Sequence, residues 1–237
     1  VGEAALNGLA MPGGLRCLDV GCGNGAFTEV VARRCDPASL DGVDPSAAQL
    51  DFARGRPTLR QARLQLGHAM ALPFADAAFD VAVLPLVIAF VPDPAAGVAE
   101  VARVVRPGGT VAAYMWDSAG GAMPYGILQA EVRAMGKAVP EPPSPGAGHI
   151  DQLRTLWAGA GLTNVAARAI RVERTFDDFE AYWTIAQDGP SVGAALAALG
   201  ADERTQLRER LRARLPASAD GRIVLSAVAN AVRGSVA

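Results

Sequence analysis

The sequence predicts an α/β fold in which a doubly wound, mostly parallel sheet carries helices on both faces. Short apolar runs alternate along the chain with amphipathic stretches, which is typical of successive strand and helix units. Apolar residues make up 51% of the 237 residues and charged residues 19%, which is enough apolar material for a compact core. We therefore expect a single domain over residues 1–237, with a core at about 13–117 and covering and C-terminal elements at about 118–237.

The first half of the chain predicts five strands and three crossover helices. Each strand is a short run rich in apolar residues, and the apolar residues of each helix recur at spacings of three and four, which gives one face toward the sheet. The strands are Leu15–Val20, Leu40–Asp44, Leu64–Gly67, Phe79–Leu84 and Thr110–Met115, and the helices are Ala26–Arg34, Ser46–Arg54 and Ala95–Arg106. Pro107, Gly108 and Gly109 end the third helix, because proline cannot continue it and glycine permits the chain reversal.

The second half is less regular and predicts elements that surround the core. Residues 119–147 are rich in glycine and proline and are interpreted as a lid or linker. The predicted elements that follow are a helix at Asp151–Ala160 capped by Asp151 and stopped at Gly161, a strand at Val165–Val172, and a helical insert at about Asp177–Leu215. The apolar tail, Arg222–Val232, fits either a strand or a short helix.

Charge and composition exclude several classes of function. The net charge is −2 and no run of Lys or Arg occurs, so a nucleic-acid partner is not expected. The longest apolar run, Val81–Val91, is too short to cross a bilayer, so no membrane partner is expected. Three cysteines and two histidines fit neither a disulfide framework nor a metal site, which predicts a reducing, cytoplasmic location. The chain begins at Val1 without a signal peptide or an initiator Met, so we expect residues upstream.

The most informative segment is a strand that runs into a glycine-rich turn and then a helix, Cys17–Phe27. Glycines there let the backbone approach a ligand and adopt φ values that other residues resist. Asp19 lies inside the strand, where a buried carboxylate needs a donor such as a backbone amide or a cationic ligand group. Asp19 is thus expected to bind an amino group, to fix the glycine loop, or to do both.

A second carboxylate, Asp44, ends the second predicted strand about twenty residues beyond the glycines. At this position a carboxylate can accept both hydroxyls of a ribose, which predicts a ligand that contains a nucleoside. Two alternatives remain open here. Asp44 could instead cap the helix that begins near Ser46, and the same spacing suits a nicotinamide enzyme.

Four ordered motifs together resemble those of class I, S-adenosylmethionine-dependent methyltransferases, over about Leu15 to Met115. The resemblance is closest to the small-molecule methyltransferases of the ubiquinone and menaquinone biosynthesis type. The motifs are Leu18–Gly25, Gly42–Ser46, Gly67–Asp76 with Phe79–Val81, and Glu100–Gly109. The resemblance implies a Rossmann-like, seven-stranded sheet, S-adenosyl-L-methionine as cofactor with S-adenosyl-L-homocysteine as product, and in-line methyl transfer to a small molecule.

The resemblance also implies which residues bind that cofactor. The glycine loop would lie beside the methionyl part, Asp44 would bind the ribose, and Ala69 would offer its backbone amide to the adenine between Met70 and Pro45. His68 departs from the family, which usually has an acidic residue there; a neutral imidazole can also accept a hydrogen bond. The full predicted set is Asp19, Gly21, Cys22, Gly23, Asn24, Gly25, Asp44, Pro45, His68, Ala69, Met70 and Leu84.

No catalytic residue is assigned from the sequence, because an activated methyl donor needs mainly alignment and the exclusion of water. The candidates for a base near the strand ends are Tyr114, Asp117, Tyr125 and His149. Trp157 has the spacing of a core residue with Leu153 and Leu156, whereas Trp116 and the pair Tyr182 and Trp183 are candidates for an acceptor pocket.

Two other functions remain open. A nicotinamide-dependent oxidoreductase would share the glycine turn and Asp44, but Lys137 is the only lysine and Arg133 stands where a Tyr-x-x-x-Lys motif needs tyrosine. A non-catalytic protein that keeps the binding fold is the second alternative, motivated by His68 and by the lack of an assigned base. The acceptor and the oligomeric state cannot be derived from these motifs.

Overall fold

A computed structural model describes residues 1–9, 12–118, 123–187 and 190–237. Its strands are β1 Arg16–Val20, β2 Ser39–Asp44, β3 Arg63–Leu66, β4 Phe79–Pro85, β5 Val105–Trp116, β6 Thr163–Phe176 and β7 Ile223–Ser235. Its helices are α1 Gly2–Asn7, α2 Ala26–Arg34, α3 Ala47–Arg54, α4 Pro94–Val104, α5 Gly126–Ala134, α6 Ile150–Gly159, α7 Phe179–Ala186, α8 Pro190–Ala197 and α9 Ala201–Arg214. The predicted doubly wound α/β class is confirmed.

The described strands form one sheet of seven, in the order β3-β2-β1-β4-β5-β7-β6. The pairs β1–β2, β2–β3, β1–β4 and β4–β5 are parallel, whereas β5 pairs with β7 in antiparallel fashion, from Thr110 opposite Ser235 to Trp116 opposite Ala229. The strand order reverses next to β1, and ligands of such sheets bind beyond the carboxyl ends of the strands at this point. The ambiguous tail is therefore a strand, because its apolar residues complete the sheet beside β5.

Most predicted boundaries hold within two residues, but β5, β6 and β7 are longer than predicted. Helix α4 ends at Val104 rather than Arg106, because Val105 already pairs with Phe79 as part of β5. Gly108 adopts the positive φ of 75° that the turn was expected to require. The predicted cap at Asp151 is wrong, since α6 begins one residue earlier and Asp151 lies in its first turn. Gly161 has the φ of 76° expected of a helix stop.

The segment predicted as a lid or linker contains helix α5, whose Leu128 and Val132 are fully buried. Residues 119–122 of that segment lie outside the described part of the chain. The sequence did not reveal this helix, because the segments on either side of it are rich in proline and glycine. The apolar residues of the helix itself recur at regular spacing. The helical insert predicted at 177–215 corresponds to α7, α8 and α9, with Asp178 capping α7 through the Ala181 amide.

Contacts between residues group the chain into two compact units. The first, unit 1, comprises Val1–Asp117, Pro143–Ile170 and Ala229–Ala237, and the second, unit 2, comprises Ser118–Pro142 and Arg171–Val228. The core of unit 1 lies against β1, β4 and β5 and includes Leu18, Leu84, Val101 and Trp157. The core of unit 2 is built mainly from its helices and includes Leu128, Phe176, Tyr182 and Leu207, among others.

Candidate functional site

The glycine turn connects β1 to α2 in unit 1, and three of its residues adopt left-handed backbone angles. The φ angles are 72° at Gly21, 53° at Gly23 and 79° at Gly25, a region that favours glycine because it has no Cβ. The amides of Gly21 and Cys22 both donate to the Val43 carbonyl, at 2.8 and 3.0 Å. The turn is thereby fixed to the end of β2.

The three glycines face different surroundings. A Cβ at Gly21 would lie 2.3 Å from Val87 Cγ2, and one at Gly25 would lie 2.6 Å from Leu59 Cδ1, so both glycines are required by protein packing. A Cβ at Gly23 would have nothing within 4 Å. The backbone at Gly23 therefore borders open space, which is where a ligand can approach the turn.

Asp44 ends β2 directly beside this open space and is almost fully buried. Its Oδ2 accepts a hydrogen bond from the Gly23 amide at 2.9 Å, and its Oδ1 accepts one from the Ser46 amide at 2.9 Å. Ser46, not Asp44, caps α3, because the Ser46 hydroxyl accepts from the Gln49 amide at 3.4 Å. The capping alternative for Asp44 is therefore excluded, and each carboxylate oxygen keeps acceptor capacity for a further donor.

The segment after β3 returns to the same edge of the sheet. The Gly67 amide donates to the Asp44 carbonyl at 3.3 Å, and the His68 carbonyl accepts from the Ala71 amide at 2.9 Å in a tight turn. His68 is exposed, Ala69 is half-buried and Met70 is 38% exposed. The structure thus brings the second and third motifs together at one site and leaves the His68 and Met70 side chains accessible.

Two side chains on α4 hold the next part of this segment, and the sequence analysis gave them no role. Glu100 accepts from the Leu72 amide at 2.8 Å, while Arg103 donates to Glu100, to Asp76 and to the Phe74 carbonyl. The pair fixes residues 72–76 against α4. A Glu and an Arg three residues apart on a predicted helix were the available signal, but that spacing is also common on solvated helix faces.

Asp19 is fully enclosed at the end of β1, where it is 1% exposed. Its Oδ2 accepts from the hydroxyl of the buried Thr28 on α2 at 2.6 Å, whereas Oδ1 has no partner among the described residues. Burial raises the pKa of Asp19 to about 7, and the nearby Asp44 adds to this while Thr28 opposes it. Asp19 thus links the end of β1 to α2, and its Oδ1 has no partner among the described residues.

The stability of the protein is expected to fall as the pH rises through the titration range of Asp19. The carboxyl of the unfolded chain ionises near pH 3.8, whereas the folded protein keeps the proton up to about pH 7. Across that interval the unfolded state binds fewer protons, so the free energy of unfolding falls by on the order of 4 kcal/mol and then levels off.

The measurement is urea unfolding of the wild type and of Asp19→Asn at several values between about pH 4 and about pH 8. Asparagine fills the same space without ionising, so the wild type should lose stability relative to the variant as the pH rises. A difference between the two proteins that does not change with pH would contradict the raised pKa of Asp19.

A comparison of the sequence with known families gives a match to the part of the chain that contains these residues. Residues 18–113 match a family model described as a methyltransferase domain. That range contains the glycine turn, Asp44, the segment around His68 and the pair Glu100 and Arg103. The chain carries a methyltransferase domain.

Relatives of this methyltransferase domain extend the match along the chain. An uncharacterized protein of Mycobacterium tuberculosis is 31% identical over 171 residues, which cover 71% of this chain and 61% of that protein. A demethylmenaquinone methyltransferase from Lactiplantibacillus plantarum is 35% identical over 96 residues, covering 38% of this chain and 40% of that enzyme. The chain thus spans about three fifths of the length of the first of these relatives.

A solved structure shows the same fold over nearly the whole chain. A candidate methyltransferase from Bacillus halodurans superposes with a TM-score of 0.64, covering 99% of this chain and 97% of that one at 16% sequence identity. The likeness therefore includes the elements beyond the methyltransferase domain as well as the domain itself.

The remaining predicted cofactor residues lie at different depths in the methyltransferase domain. Asn24 and Pro45 are exposed, and Cys22 is buried with its Sγ 3.0 Å from the position of a Cβ on Gly42. Leu84 lies on β4 with its side chain fully buried in the core, so any contact it makes with a ligand at the end of the strand would be through its backbone. The role of each residue in binding stays a prediction.

The four candidates for a base are dispersed. Tyr114 is buried on β5 in edge-to-face contact with Phe27, and burial together with the nearby Asp19 raises its pKa. His149 is exposed at the start of α6, and Asp117 is half-buried just after β5. Tyr125 precedes α5 and belongs to unit 2. Tyr114 is thus the base candidate that lies near Asp19, and its phenol is neutral at ordinary pH.

The aromatic candidates differ in how deeply they are buried and in the unit to which they belong. Trp157 is fully buried and donates from Nε1 to the Val111 carbonyl at 3.0 Å, as expected of a core residue. Trp116 is half-buried at the end of β5. Tyr182 and Trp183 are 1% and 5% exposed, in the core of unit 2 rather than on its surface.

Three further properties bear on the chemistry. Cys17, Cys22 and Cys35 are all buried and free. In the described ranges, no group of three or more His, Cys, Asp or Glu side chains has an arrangement able to hold a metal ion. Among the described helices, none is long and apolar enough to span a membrane.

Proposed function

We propose that this protein transfers a methyl group from S-adenosyl-L-methionine to a small-molecule acceptor. The observation that carries the proposal is the open space at Gly23, bordered by the carboxylate of Asp44, with the buried carboxyl group of Asp19 near Asp44. A nucleoside with an amino-acid tail offers hydroxyls to the first carboxylate and an ammonium group to the second. Both carboxylates lie within the part of the chain that matches a methyltransferase domain.

The residues present fit such a cofactor in charge and in shape. The unpartnered Oδ1 of Asp19 is a buried acceptor, and a cationic group with a route to it would lower the cost of burying that carboxylate. Asp44 is held by two backbone amides and presents its remaining lone pairs without needing to reorganise. The backbone of 67–71, fixed to Asp44, supports the proposed adenine contacts of Ala69 and Met70, and of His68 in place of an acidic residue.

The chemistry required of the protein is limited. S-adenosyl-L-methionine supplies a methyl group already activated by its sulfonium, which leaves by in-line displacement with S-adenosyl-L-homocysteine as product. The protein then has to orient the acceptor and exclude water. No general base is assigned, because Tyr114, the candidate nearest Asp19, is a buried neutral phenol that packs against Phe27.

A small molecule is the acceptor class that the sequence favours. The net charge of −2 and the absence of any run of Lys or Arg oppose a nucleic-acid substrate. The name of the relative from Lactiplantibacillus plantarum, a demethylmenaquinone methyltransferase, supports a small aromatic or lipophilic acceptor. The three free thiols support a reducing, cytoplasmic location.

The proposal is tested by isothermal titration of the protein with S-adenosyl-L-methionine and S-adenosyl-L-homocysteine, with NADH and NADPH as controls. We expect affinity in the micromolar range for both sulfur nucleosides and none for the nicotinamides. Binding of the nicotinamides alone would replace the proposal by an oxidoreductase. Cofactor binding without product formation over a broad panel of acceptors would replace it by the non-catalytic alternative.

A further inference from the structure

A buried tyrosine hydroxyl in unit 2 has no hydrogen-bond partner among the described residues. Tyr182 on α7 is 1% exposed, and its Oη makes no hydrogen bond with any described residue. A buried hydroxyl without a partner destabilises the folded state, and phenylalanine would fill nearly the same volume without this cost. Packing alone therefore does not account for a hydroxyl at this position.

Aromatic and aliphatic side chains surround Tyr182, and arginine guanidinium groups lie over two of the rings. The ring of Phe176 meets it edge-on with centroids 5.4 Å apart, and that of Phe179 is tilted at 6.2 Å. Leu128 and Val132 on α5 belong to the same cluster. A charged ligand group would lose its hydration in this cluster, whereas a neutral oxygen would need one hydrogen bond only.

A second phenol borders the cluster. Tyr125, just before α5, is partly buried against the cluster. Burial and, to a smaller extent, the nearby Tyr125 raise the pKa of Tyr182. Ile127 and Met135 are likewise only partly buried against the cluster. A shift of these bordering side chains can open a path to the Tyr182 hydroxyl, and methionine in particular adapts its shape readily.

We propose that Tyr182, together with Tyr125, binds the hydroxyl or carbonyl oxygen of a small and otherwise apolar molecule within unit 2. The ligand enters as the bordering side chains shift, because Tyr182 is enclosed in the ligand-free protein. The phenol of Tyr182 donates to the ligand oxygen or accepts from its hydroxyl. This binding does not depend on the proposed function.

The test compares two probes that differ by one hydroxyl, 1-naphthol and naphthalene, by equilibrium dialysis against the whole chain without cofactor. We expect the wild type to bind 1-naphthol more tightly than naphthalene by roughly fivefold, the contribution of one neutral hydrogen bond. In Tyr182→Phe the two probes should bind equally, and in Tyr125→Phe the preference should be reduced. Tyr114→Phe removes the phenol of unit 1 and should keep the preference.

Three results would overturn the proposal: equal binding of both probes by the wild type, an unchanged preference in Tyr182→Phe, or a preference lost in Tyr114→Phe. Tyr182→Phe should melt at the same or a higher temperature than the wild type, because it removes an unpaired buried hydroxyl. Since no cofactor is present, a negative result leaves the proposed function standing, and failure of the cofactor titration leaves the probe result standing.

Discussion

Replacing Gly23 with alanine is expected to weaken the binding of S-adenosyl-L-homocysteine by about 100-fold or more, since the new methyl would fill the space a ligand needs. No described residue lies within 4 Å of that methyl, so the variant should still fold. The φ of 53° makes alanine unfavourable by roughly 1–2 kcal/mol. Calorimetric titration measures the affinity, and thermal melting measures the stability.

Gly14→Ala is the matched control for this variant. Gly14 has a φ of 79°, would likewise have nothing within 4 Å of its new methyl, and precedes β1 at the opposite end of the strand. Both variants should lose similar stability from the same backbone strain, but Gly14→Ala should retain the affinity of the wild type. Equal affinities for the two variants would mean that the open space at Gly23 is not where the ligand binds.

Replacing Asp44 with alanine is expected to reduce the affinity for S-adenosyl-L-homocysteine by about 2–4 kcal/mol, through the loss of two charge-assisted hydrogen bonds to the ribose. The structure adds a second contribution, because the Gly23 and Ser46 amides lose their acceptor. Total affinity therefore does not isolate the contact with the ribose.

A ratio of affinities separates the two contributions. We expect the wild type to prefer S-adenosyl-L-homocysteine strongly over its 2′,3′-dideoxy analogue, whereas Asp44→Ala should bind both weakly and nearly equally. Asp178→Ala is the control, because Asp178 also accepts from a backbone amide, that of Ala181 at the start of α7 in unit 2. A preference that survives in Asp44→Ala would assign the ribose to another residue.

Much of unit 1 could be predicted because its signals are local. A strand, a glycine turn and a helix follow one another within Cys17–Phe27, and the need for glycine at Gly21, Gly23 and Gly25 follows from single backbone angles. Helix α2 has the predicted boundaries for the same reason, since its apolar spacing and its flanking residues lie within about ten positions. The order of strands and helices then indicates a parallel sheet.

Predictions for the second half failed where the decisive contacts are distant in sequence. The tail fitted a helix or a strand until its pairing with β5, more than a hundred residues away, was known. Helix α5 was missed because the segments on either side of it are rich in glycine and proline. Its Glu131 pairs with Arg210 and Arg214 on α9, a contact distant in sequence that local patterns do not show. The predicted cap at Asp151 was wrong because α6 begins after His149, which makes no side-chain capping hydrogen bond, so no local capping pattern marks the start of the helix.

The sequence by itself determined the α/β class, the glycine turn and the two carboxylates at the ends of β1 and β2, because spacing along one strand and one turn specifies them. Only the tertiary structure decided what those groups contact. It showed that Thr28 holds one oxygen of Asp19 while the other has no described partner, and that Asp44 is oriented by two amides. It also enclosed Tyr182 with a hydroxyl that no described residue bonds, because burial and hydrogen bonding depend on neighbours that folding brings from distant parts of the chain.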